Sequence, residues 1–277
     1  MRFLGAYSRL IDFSPRLRKV CKHFFYQYVA HITRTAELKF MNYGFAFIDD
    51  GKEAPKLDAL DEPNRCSIQL YHHLTYPLNF DGLRVLDIGC GRGGGPDYLR
   101  RYLKVRDIIG LDASPKAVSL CRKTYASQGL VFVAGDAEDL PFPDGSFDVV
   151  MNIESSHCYN NMNRFLSGVL RVLRQGGYFL FADFRDLPHV ELLENQIKHS
   201  GMAILRKSDI TGNVLAALDK EHDRKAVLIE NSAPKFLIKL FKEFGGCRGT
   251  RIYNRFSARQ SLYLSYILQK PEKRIPF

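Results

Sequence analysis

The residues Val85-Leu86-Asp87-Ile88-Gly89-Cys90-Gly91-Arg92-Gly93-Gly94-Gly95-Pro96 are the most informative part of this 277-residue chain. An apolar strand over Arg84–Ile88 runs into a glycine-rich turn, and a helix is predicted to begin at Pro96. Glycine allows sharp backbone turns and lets a ligand approach the backbone closely. The stretch therefore predicts a strand–turn–helix unit that binds a ligand at its turn.

Outward from this unit, short apolar strands alternate with helices along the chain. The strands are predicted at Arg84–Ile88, Asp107–Leu111, Leu130–Val133, Phe147–Ile153, Tyr178–Ala182, Ala203–Ile210 and Leu262–Gln269. The helices between them are predicted at Pro115–Tyr125, Arg164–Arg174, with Gly176-Gly177 as its C-terminal stop, and His189–His199. Such alternation predicts a parallel sheet that is covered by helices on both faces. We expect an α/β, Rossmann-like fold with a mainly parallel seven-stranded sheet.

The chain is predicted to consist of an N-terminal helical or lid segment, residues 1–81, and a ligand-binding domain, residues 82–277. A helical insertion at about residues 213–244 precedes the last strand, where a substrate lid is expected. Its apolar stripe is either a packed surface helix or a wall for an apolar substrate; it comprises Phe236, Leu237, Leu240, Phe241 and Phe244, beside Lys235, Lys239 and Lys242. The aromatic segment from Phe40 to Phe45 is either core or a lid over the ligand.

The glycine turn alone leaves the ligand open, because Gly89, Gly91 and Gly94 also fit the dinucleotide fingerprint. Asp87 argues against a dinucleotide, since a fixed carboxylate there repels a pyrophosphate and suits a ligand that carries an ammonium and a sulfonium. Asp112 ends the second strand and is placed to accept hydrogen bonds from ribose hydroxyls. The turn after the third strand contains Asp136, a candidate acceptor for the exocyclic amine of an adenine.

The series Asp87-x-Gly89-x-Gly91-x-Gly93, Asp112, Asp136-Ala137 and Gly176-Gly177-Tyr178 resembles the class I S-adenosylmethionine-dependent methyltransferases. Gln175 is a departure, because many members have Pro before the Gly-Gly pair. The resemblance implies the methyltransferase version of the Rossmann-like fold, S-adenosyl-L-methionine as cofactor and no metal. The cofactor-binding residues that it implies are Asp87, Gly89, Cys90, Gly91, Gly93, Asp112, Ala113, Asp136, Ala137 and Asn152.

Shorter motifs extend the resemblance beyond the cofactor domain. They are Asp61-Glu62-Pro63-Asn64-Arg65, Ile68-Gln69-Leu70-Tyr71-His72, Gly93-Gly94-Gly95 and Glu154-Ser155-Ser156-His157-Cys158-Tyr159. They are similar to motifs of the mycobacterial phthiotriol/phenolphthiotriol dimycocerosate methyltransferases, which O-methylate a long-chain lipid alcohol. This closer resemblance implies O-methylation of a hydroxyl on a lipid or polyketide-like apolar molecule.

The fourth strand ends in Asn152-Ile153-Glu154-Ser155-Ser156-His157, and strand ends line the ligand crevice of an open α/β sheet. An alcohol must lose its proton during methylation, and histidine is the usual base near neutral pH. We predict His157 as this base; the alternative is a histidine that only forms hydrogen bonds within the site or the core. Glu154 is predicted to orient the imidazole or to contact the cofactor. Further candidates are Tyr159, Asp183, His72 and His73.

Three other activities remain as alternatives. Methylation of carbon or nitrogen in another small molecule uses the same cofactor domain. Asp87 and the Asp136-Ala137 turn argue against a nicotinamide-dependent oxidoreductase. Enzymes that methylate base amines of nucleic acids commonly carry an Asn/Asp-Pro-Pro-aromatic turn, where this chain has Asn152-Ile153-Glu154-Ser155. No nucleic-acid partner is therefore expected.

The formal net charge of +10 is concentrated near the start of the chain. Residues 1–34 contain seven basic side chains and one acidic side chain, interleaved with aromatic residues, which is the composition of an interfacial helix. Peripheral contact of residues 1–34 with an anionic membrane is one prediction; the alternative is that this helix packs on the catalytic domain. The six cysteines lack metal-ligand spacing, and neither a signal peptide nor a transmembrane segment is predicted, so we expect a cytoplasmic location.

Overall fold

The computed structural model describes residues 39–48, 54–76, 78–126 and 129–272. The first half of the described chain contains α1 (Arg65–Thr75), β1 (Arg84–Ile88), α2 (Gly94–Tyr102), β2 (Asp107–Asp112), α3 (Pro115–Thr124), β3 (Leu130–Ala134) and β4 (Phe147–Ile153). The second half contains α4 (Met162–Val172), β5 (Leu173–Asp186), α5 (Leu187–Lys198), β6 (Ala203–Asp209), α6 (Thr211–Ser232), α7 (Ile238–Phe244), α8 (Arg251–Ser257) and β7 (Ser261–Gln269). The helix predicted after Ser14-Pro15, with the rest of residues 1–34, lies outside the described residues.

The strands form one seven-stranded sheet with the order β3-β2-β1-β4-β5-β7-β6. Neighbouring strands from β3 to β5 are parallel, whereas β7 is antiparallel to both β5 and β6. The predicted mainly parallel seven-stranded sheet is therefore confirmed. The strand order reverses between β1 and β4, and the carboxyl ends of strands at such a point form the ligand crevice of open α/β sheets.

Helices bury both faces of the sheet, which explains why its central strands are almost continuously apolar. On one face α1 and α6 cover side chains of β1, β4 and β5, including Val85, Val149 and Leu180 together with Leu70 and Val214. On the other face α4 and α5 cover the alternating set, including Leu86, Val150 and Phe179 together with Phe165 and Leu193. The rigid centre of the sheet fixes the strand ends at which the site is built.

The helix predicted at Arg164–Arg174 is wrong at its C-terminal end. It spans Met162–Val172, and β5 begins at once with Leu173, which pairs with Phe147 of β4. Gly176-Gly177 is therefore not a helix stop but part of the strand. The Gly176 N–H donates to the Lys270 carbonyl at 3.0 Å, which holds this end of β5 beside the chain that leaves β7.

The predicted insertion at residues 213–244 is not one helix. Helix α6 ends at Ser232 because Pro234 has no N–H to continue it and favours an extended Ala233, which has φ −97° and ψ 143°. Helix α8 was missed by the sequence analysis; its first turn is capped from a distance, since the Glu243 carboxylate accepts the N–H groups of Arg251 and Ile252, both at 2.9 Å. Among the described helices, none combines the length and apolarity that crossing a membrane requires.

An extended segment, residues 39–48, crosses the carboxyl edge of the sheet and is called the strap below. Its first residue is anchored by Asp61, whose side chain is only 3% exposed and accepts from Lys39 Nζ at 3.0 Å and from Arg101 at 2.5 Å. Tyr102 also donates to Asp61, at 2.8 Å. Burial raises the pKa of Asp61, but the hydrogen bonds from Tyr102, Lys39 and Arg101 outweigh it and hold the pKa below its ordinary value. The Asp61-Glu62-Pro63-Asn64-Arg65 motif thus supplies a structural anchor.

We expect Asp61→Asn to lower the free energy of unfolding by about 1–3 kcal/mol at neutral pH, because it removes the acceptor of a largely buried charge cluster. Because the pKa of Asp61 is lowered in the folded state, its contribution to the free energy of unfolding is complete above about pH 4. This contribution is lost as the pH falls through the pKa of Asp61 in the folded state. Urea unfolding should therefore show that wild type and variant converge at acidic pH. Glu62→Gln is the matched control, since Glu62 pairs with Arg65 at the surface. An equal loss in both variants would contradict this anchor.

Candidate active site

The glycine turn after β1 has the conformation that its sequence requires. Gly89 and Gly93 have φ values of +76° and +83°, in the left-handed region that favours glycine. The Gly89 and Cys90 N–H groups donate to the Leu111 carbonyl at 2.7 and 3.1 Å, which ties the turn to β2. A methyl group on Gly89 would lie 2.3 Å from the Ser155 hydroxyl oxygen, so the turn also packs tightly against the end of β4. Helix α2 begins at Gly94, two residues before the predicted Pro96.

Asp87 lies under this turn as a buried carboxylate, only 1% exposed. The Tyr71 hydroxyl donates to its Oδ2 at 3.1 Å, whereas its Oδ1 is buried and has no hydrogen-bond partner among the described residues. Burial raises the pKa of Asp87 to about 7; the Tyr71 hydrogen bond opposes this shift and Asp112 adds to it. An unsatisfied buried carboxylate oxygen is costly, and a ligand cation would satisfy it.

The next two strands bring their predicted residues to the same edge. Asp112 Oδ2 accepts from the Gly91 N–H at 2.9 Å and Oδ1 accepts from the Ser114 N–H at 2.8 Å. Asp112 therefore ties the glycine turn to the start of α3. Ala113 is exposed beside it. At the end of β3, Asp136 is exposed and accepts the Glu138 N–H at 2.9 Å, and Ala137 is buried.

Asn152 joins β4 to the glycine turn. Its Nδ2 lies 2.9 Å from the Ile88 carbonyl, 2.7 Å from Ser155 Oγ and 2.9 Å from the Tyr159 hydroxyl. Its Oδ1 is buried and, within the described part of the chain, makes no hydrogen bond. Cys90 has a buried side chain that packs against Gly110.

His157 lies just beyond β4 and is held by Asp183 of β5. Its Nδ1 is 2.9 Å from Asp183 Oδ1, its N–H donates to Asp183 Oδ2 at 2.8 Å, and its ring packs on Phe184 with centroids 4.5 Å apart. Asp183 is fully buried. It also accepts from Ser156 at 2.5 Å and pairs with Arg185 at 3.3 Å. This arrangement fixes the orientation of the imidazole.

The charges of neighbouring side chains determine the protonation states of His157 and Asp183. Burial raises the pKa of Asp183, but the positive charges of His157 and Arg185 outweigh it and hold the pKa well below its ordinary value. Burial lowers the pKa of His157, but the adjacent Cys158 thiol and the Asp183 carboxylate outweigh it and raise the pKa to about 10. Without a ligand, His157 is therefore protonated and Asp183 ionised at neutral pH.

Glu154 fastens the strap to the end of β4. Its backbone has a φ of +53°, which is uncommon for a residue other than glycine. Its Oε2 accepts from the Tyr43 N–H at 2.8 Å and from the Tyr263 hydroxyl at 2.9 Å. Burial raises the pKa of Glu154 to about 8, although the Tyr43 N–H and the positive charge of His157 oppose the shift.

Aromatic side chains from distant parts of the chain surround this carboxylate. Phe184 lies 5.8 Å from Tyr43, 5.6 Å from Phe256 and 6.2 Å from Tyr263, measured between ring centroids. Tyr43 of the strap is buried, as expected for core, and Met41 beside it lies within van der Waals distance of a methyl group built on Gly91. The strap therefore belongs to the core at Tyr43 and packs beside the glycine turn at Met41. Phe256 and Tyr263 belong to no local motif, so they could not be predicted from the sequence.

The other candidates lie elsewhere along the edge. The Tyr159 hydroxyl joins the network of Asn152 and Ser155. On α1, His72 Nδ1 is 3.2 Å from the Tyr98 hydroxyl of α2, and His73 Nε2 is 3.0 Å from Ser265 Oγ of β7. Of the predicted histidines, His157 is the one that is paired with a carboxylate at the end of β4.

Comparisons with known proteins identify relatives of this chain. A family model described as a methyltransferase domain matches residues 86–181. The chain is 39% identical over 270 residues to the phthiotriol/phenolphthiotriol dimycocerosates methyltransferase of Mycobacterium leprae, covering 96% of this chain and 99% of the relative. It is 36% identical over 246 residues to the fatty-acid O-methyltransferase of Mycolicibacterium smegmatis, covering 89% and 88%.

A solved structure shares the fold. It is a putative sarcosine dimethylglycine methyltransferase from Galdieria sulphuraria, which matches with a TM-score of 0.70 and 14% sequence identity. The match covers 89% of this chain and 98% of that structure. The two chains therefore have the same Rossmann-like architecture.

We expect Asp112→Ala to weaken binding of S-adenosylmethionine by about 1–3 kcal/mol, because hydrogen bonds to an ionised carboxylate are lost. Isothermal titration calorimetry with S-adenosylmethionine, S-adenosylhomocysteine and NAD measures this directly, and NAD should give no binding heat. Asp107→Ala is the matched control at the other end of β2, where Asp107 pairs with Arg106. Binding of NAD in place of S-adenosylmethionine would contradict the prediction that the glycine turn binds S-adenosylmethionine.

Proposed function

This chain belongs to the family of the phthiotriol/phenolphthiotriol dimycocerosates methyltransferases, and we propose that it methylates a hydroxyl oxygen of a lipid or polyketide-like molecule. It is an S-adenosylmethionine-dependent methyltransferase. The observation that carries the proposal is His157, held by buried Asp183 at the carboxyl end of β4. The relatives named for phthiotriol dimycocerosates and for a fatty acid support an apolar substrate.

The proposed cofactor site follows the edge of the sheet. The unpartnered Oδ1 of Asp87 suits the ammonium group, Asp112 suits the ribose hydroxyls, and the Asp136-Ala137 turn suits the adenine edge. Gly89, Cys90, Gly91 and Gly93 would let the ligand approach the backbone, with Ala113 and Asn152 beside it. S-adenosylmethionine supplies a methyl group that is already activated by its sulfonium. The protein then contributes mainly orientation, worth on the order of 7–11 kcal/mol.

In this proposal Asp183 orients His157 and stabilises its protonated form, while His157 takes the proton of the substrate hydroxyl. A raised pKa of about 10 favours the protonated imidazole before binding. His157 loses that proton more readily beside a bound cation, because like charges disfavour the protonated form. The aromatic ring cluster of Tyr43, Phe184, Phe256 and Tyr263 suits the apolar part of the substrate.

The raised pKa of His157 also supports a second candidate, methylation of a carboxylate. A carboxylate has no proton to lose near neutral pH, so a protonated imidazole would act as a hydrogen-bond donor that positions it. The relative that is named a fatty-acid O-methyltransferase fits this chemistry. The two candidates differ in how activity depends on pH: it should rise with pH for a hydroxyl substrate and fall with pH for a carboxylate substrate.

For the hydroxyl candidate, His157→Ala should lower turnover roughly 10²–10⁴-fold, the usual contribution of a general base, with little change in cofactor affinity. The value of kcat/KM should rise with pH as His157 deprotonates toward its pKa of about 10. Cys158→Ala should move this rise to lower pH, because the thiol raises the pKa of His157.

The assay follows transfer of an isotope-labelled methyl group to a long-chain alcohol and to the fatty acid of equal length, by mass spectrometry. Activity on the fatty acid that falls as pH rises would favour the carboxylate candidate. Wild-type turnover by the His157→Ala variant on both probes would remove His157 from the mechanism.

We also propose roles for the flanking segments. Residues 213–244 would form the substrate lid, and the strap, residues 39–48, would lie beside it. Contacts between the two support this: the Ala46 N–H donates to the Asn213 carbonyl at 3.1 Å, and Asn213 Nδ2 donates to the Ala46 carbonyl at 2.9 Å. The lid base therefore packs on the strap that covers the glycine turn.

The basic residues 1–34 are proposed to contact an anionic membrane peripherally, from the cytoplasmic side. Several basic residues at about 1 kcal/mol each are sufficient for reversible binding. The intact protein should co-sediment with anionic vesicles at low salt, and a form that starts at Thr35 should stay folded but remain in the supernatant. If that shortened form unfolds, the segment belongs to the core. If the intact protein does not sediment, the membrane contact is wrong.

A further inference from the structure

The apolar stripe of the lid is divided between two surfaces. Phe241 is buried, at 8% exposed, and packs into the protein. Phe236 is 79% exposed and Phe244 is 40% exposed. The stripe is therefore neither a fully packed surface helix nor a continuous wall for a substrate. Its outward half, residues 235–239 at the turn between α6 and α7, is called the lid tip below.

The lid tip owes its exposure to a break in the backbone. Pro234 ends α6, and residues Lys235–Leu237 form a single 3-10 turn before α7 begins. Phe236 is in the centre of that turn, and a tightly wound turn of three residues carries few neighbours that could cover a large ring. Exposure of the Phe236 ring to water is unfavourable, because burial of apolar surface lowers the free energy. Contact of the ring with an apolar phase would therefore be favourable.

The charge around Phe236 is basic. Between Lys235 and Arg251 the chain has five basic side chains and one acidic side chain, Glu243. Glu243 is occupied as the cap of α8, and Lys242 is paired with Glu230 at 2.5 Å. Lys235 and Lys239 are exposed and form no ion pair with any residue that the structure describes. An exposed aromatic ring between two unpaired lysines is the composition of a peripheral membrane contact.

We propose that the lid tip docks on an anionic phospholipid surface, with Phe236 inserted among the acyl chains and Lys235 and Lys239 at the headgroups. The partner is a lipid surface rather than an acidic protein, because one protruding ring without a groove offers a protein little area to bury. The inference is independent of the methylated atom, since it concerns where the lid binds and not what the site does. It is a second contact, separate from residues 1–34.

The chain has no tryptophan, so a single introduced tryptophan reports its own surroundings. Phe236→Trp is the probe, and Val131→Trp is the matched control on β3, 53% exposed at the opposite edge of the sheet from β6. Vesicles of phosphatidylcholine with phosphatidylglycerol should shift the emission of Trp at position 236 to shorter wavelength and let brominated lipids quench it. Position 131 should show neither change. An unchanged spectrum at position 236, or the same change at position 131, would overturn the proposal.

The contribution of Lys235 and Lys239 to vesicle binding can be tested separately on the full chain. Lys235→Gln with Lys239→Gln should lower the partition coefficient on these vesicles about tenfold to thirtyfold, from about 1 kcal/mol for each lysine. Lys116→Gln with Lys123→Gln removes two exposed lysines of α3 as the matched control and should change it little. Retained binding of S-adenosylmethionine confirms that each variant is folded. Equal loss in both double variants, or equal binding to pure phosphatidylcholine, would contradict the proposed docking.

Discussion

A buried carboxylate at the end of the central strand is the constraint on which the site depends. Asp87 lies on β1, where the strand order of the sheet reverses, and is almost fully removed from water. The Tyr71 hydroxyl satisfies one oxygen, while the other has no partner among the described residues. Burial therefore raises the pKa of Asp87 to about 7, and a bound cation would restore the charged form at neutral pH. A chain that only needed to fold would gain nothing from this arrangement.

The residues around Asp87 hold the edge of the sheet in one conformation. The glycine turn is tied to β2 through Leu111 and Asp112, and Asn152 connects it to β4. The strap then crosses the same edge: the Lys39 carbonyl accepts from the Gly94 N–H at 3.2 Å, and Glu154 accepts from the Tyr43 N–H. The strap and the glycine turn are thus held by the sheet ends themselves. Such contacts give a ligand site its geometry before a ligand binds.

The sequence was sufficient for the parallel strands and the glycine turn, because a strand buried on both faces is a continuous apolar run that ends at a polar residue. Strand β1 was predicted with its observed bounds. The prediction was wrong at Gly176-Gly177 because a glycine pair is typical of the end of a helix. In the structure the helix ends before this pair, since Leu173 already pairs with β4. Proline ends a helix, so the break at Pro234 was predictable from the sequence, but residues 213–244 were predicted as one helical insertion.

Single candidate site residues were predictable from the strand ends, as His157, Glu154 and Asp183 show, whereas the pairs that form between distant segments were not. His157 and Glu154 were both selected from the end of β4, but their partners come from other elements. Asp183, on β5, orients the imidazole, and Tyr43 and Tyr263 bind Glu154. Side-chain partners of this kind depend on strand order, which local patterns do not contain.

The role of Asp87 is tested by measuring the protons that are released when S-adenosylmethionine binds. At about pH 6 Asp87 is mostly protonated, given its pKa of about 7, while the amino group of S-adenosylmethionine is already charged. Calorimetric titrations in buffers of different ionisation enthalpy should show release of up to about one proton for each cofactor bound by the wild type. Asp87→Asn should bind more weakly and release correspondingly fewer protons. Equal proton release by the wild type and Asp87→Asn would contradict the claim that the cofactor cation completes this buried carboxylate.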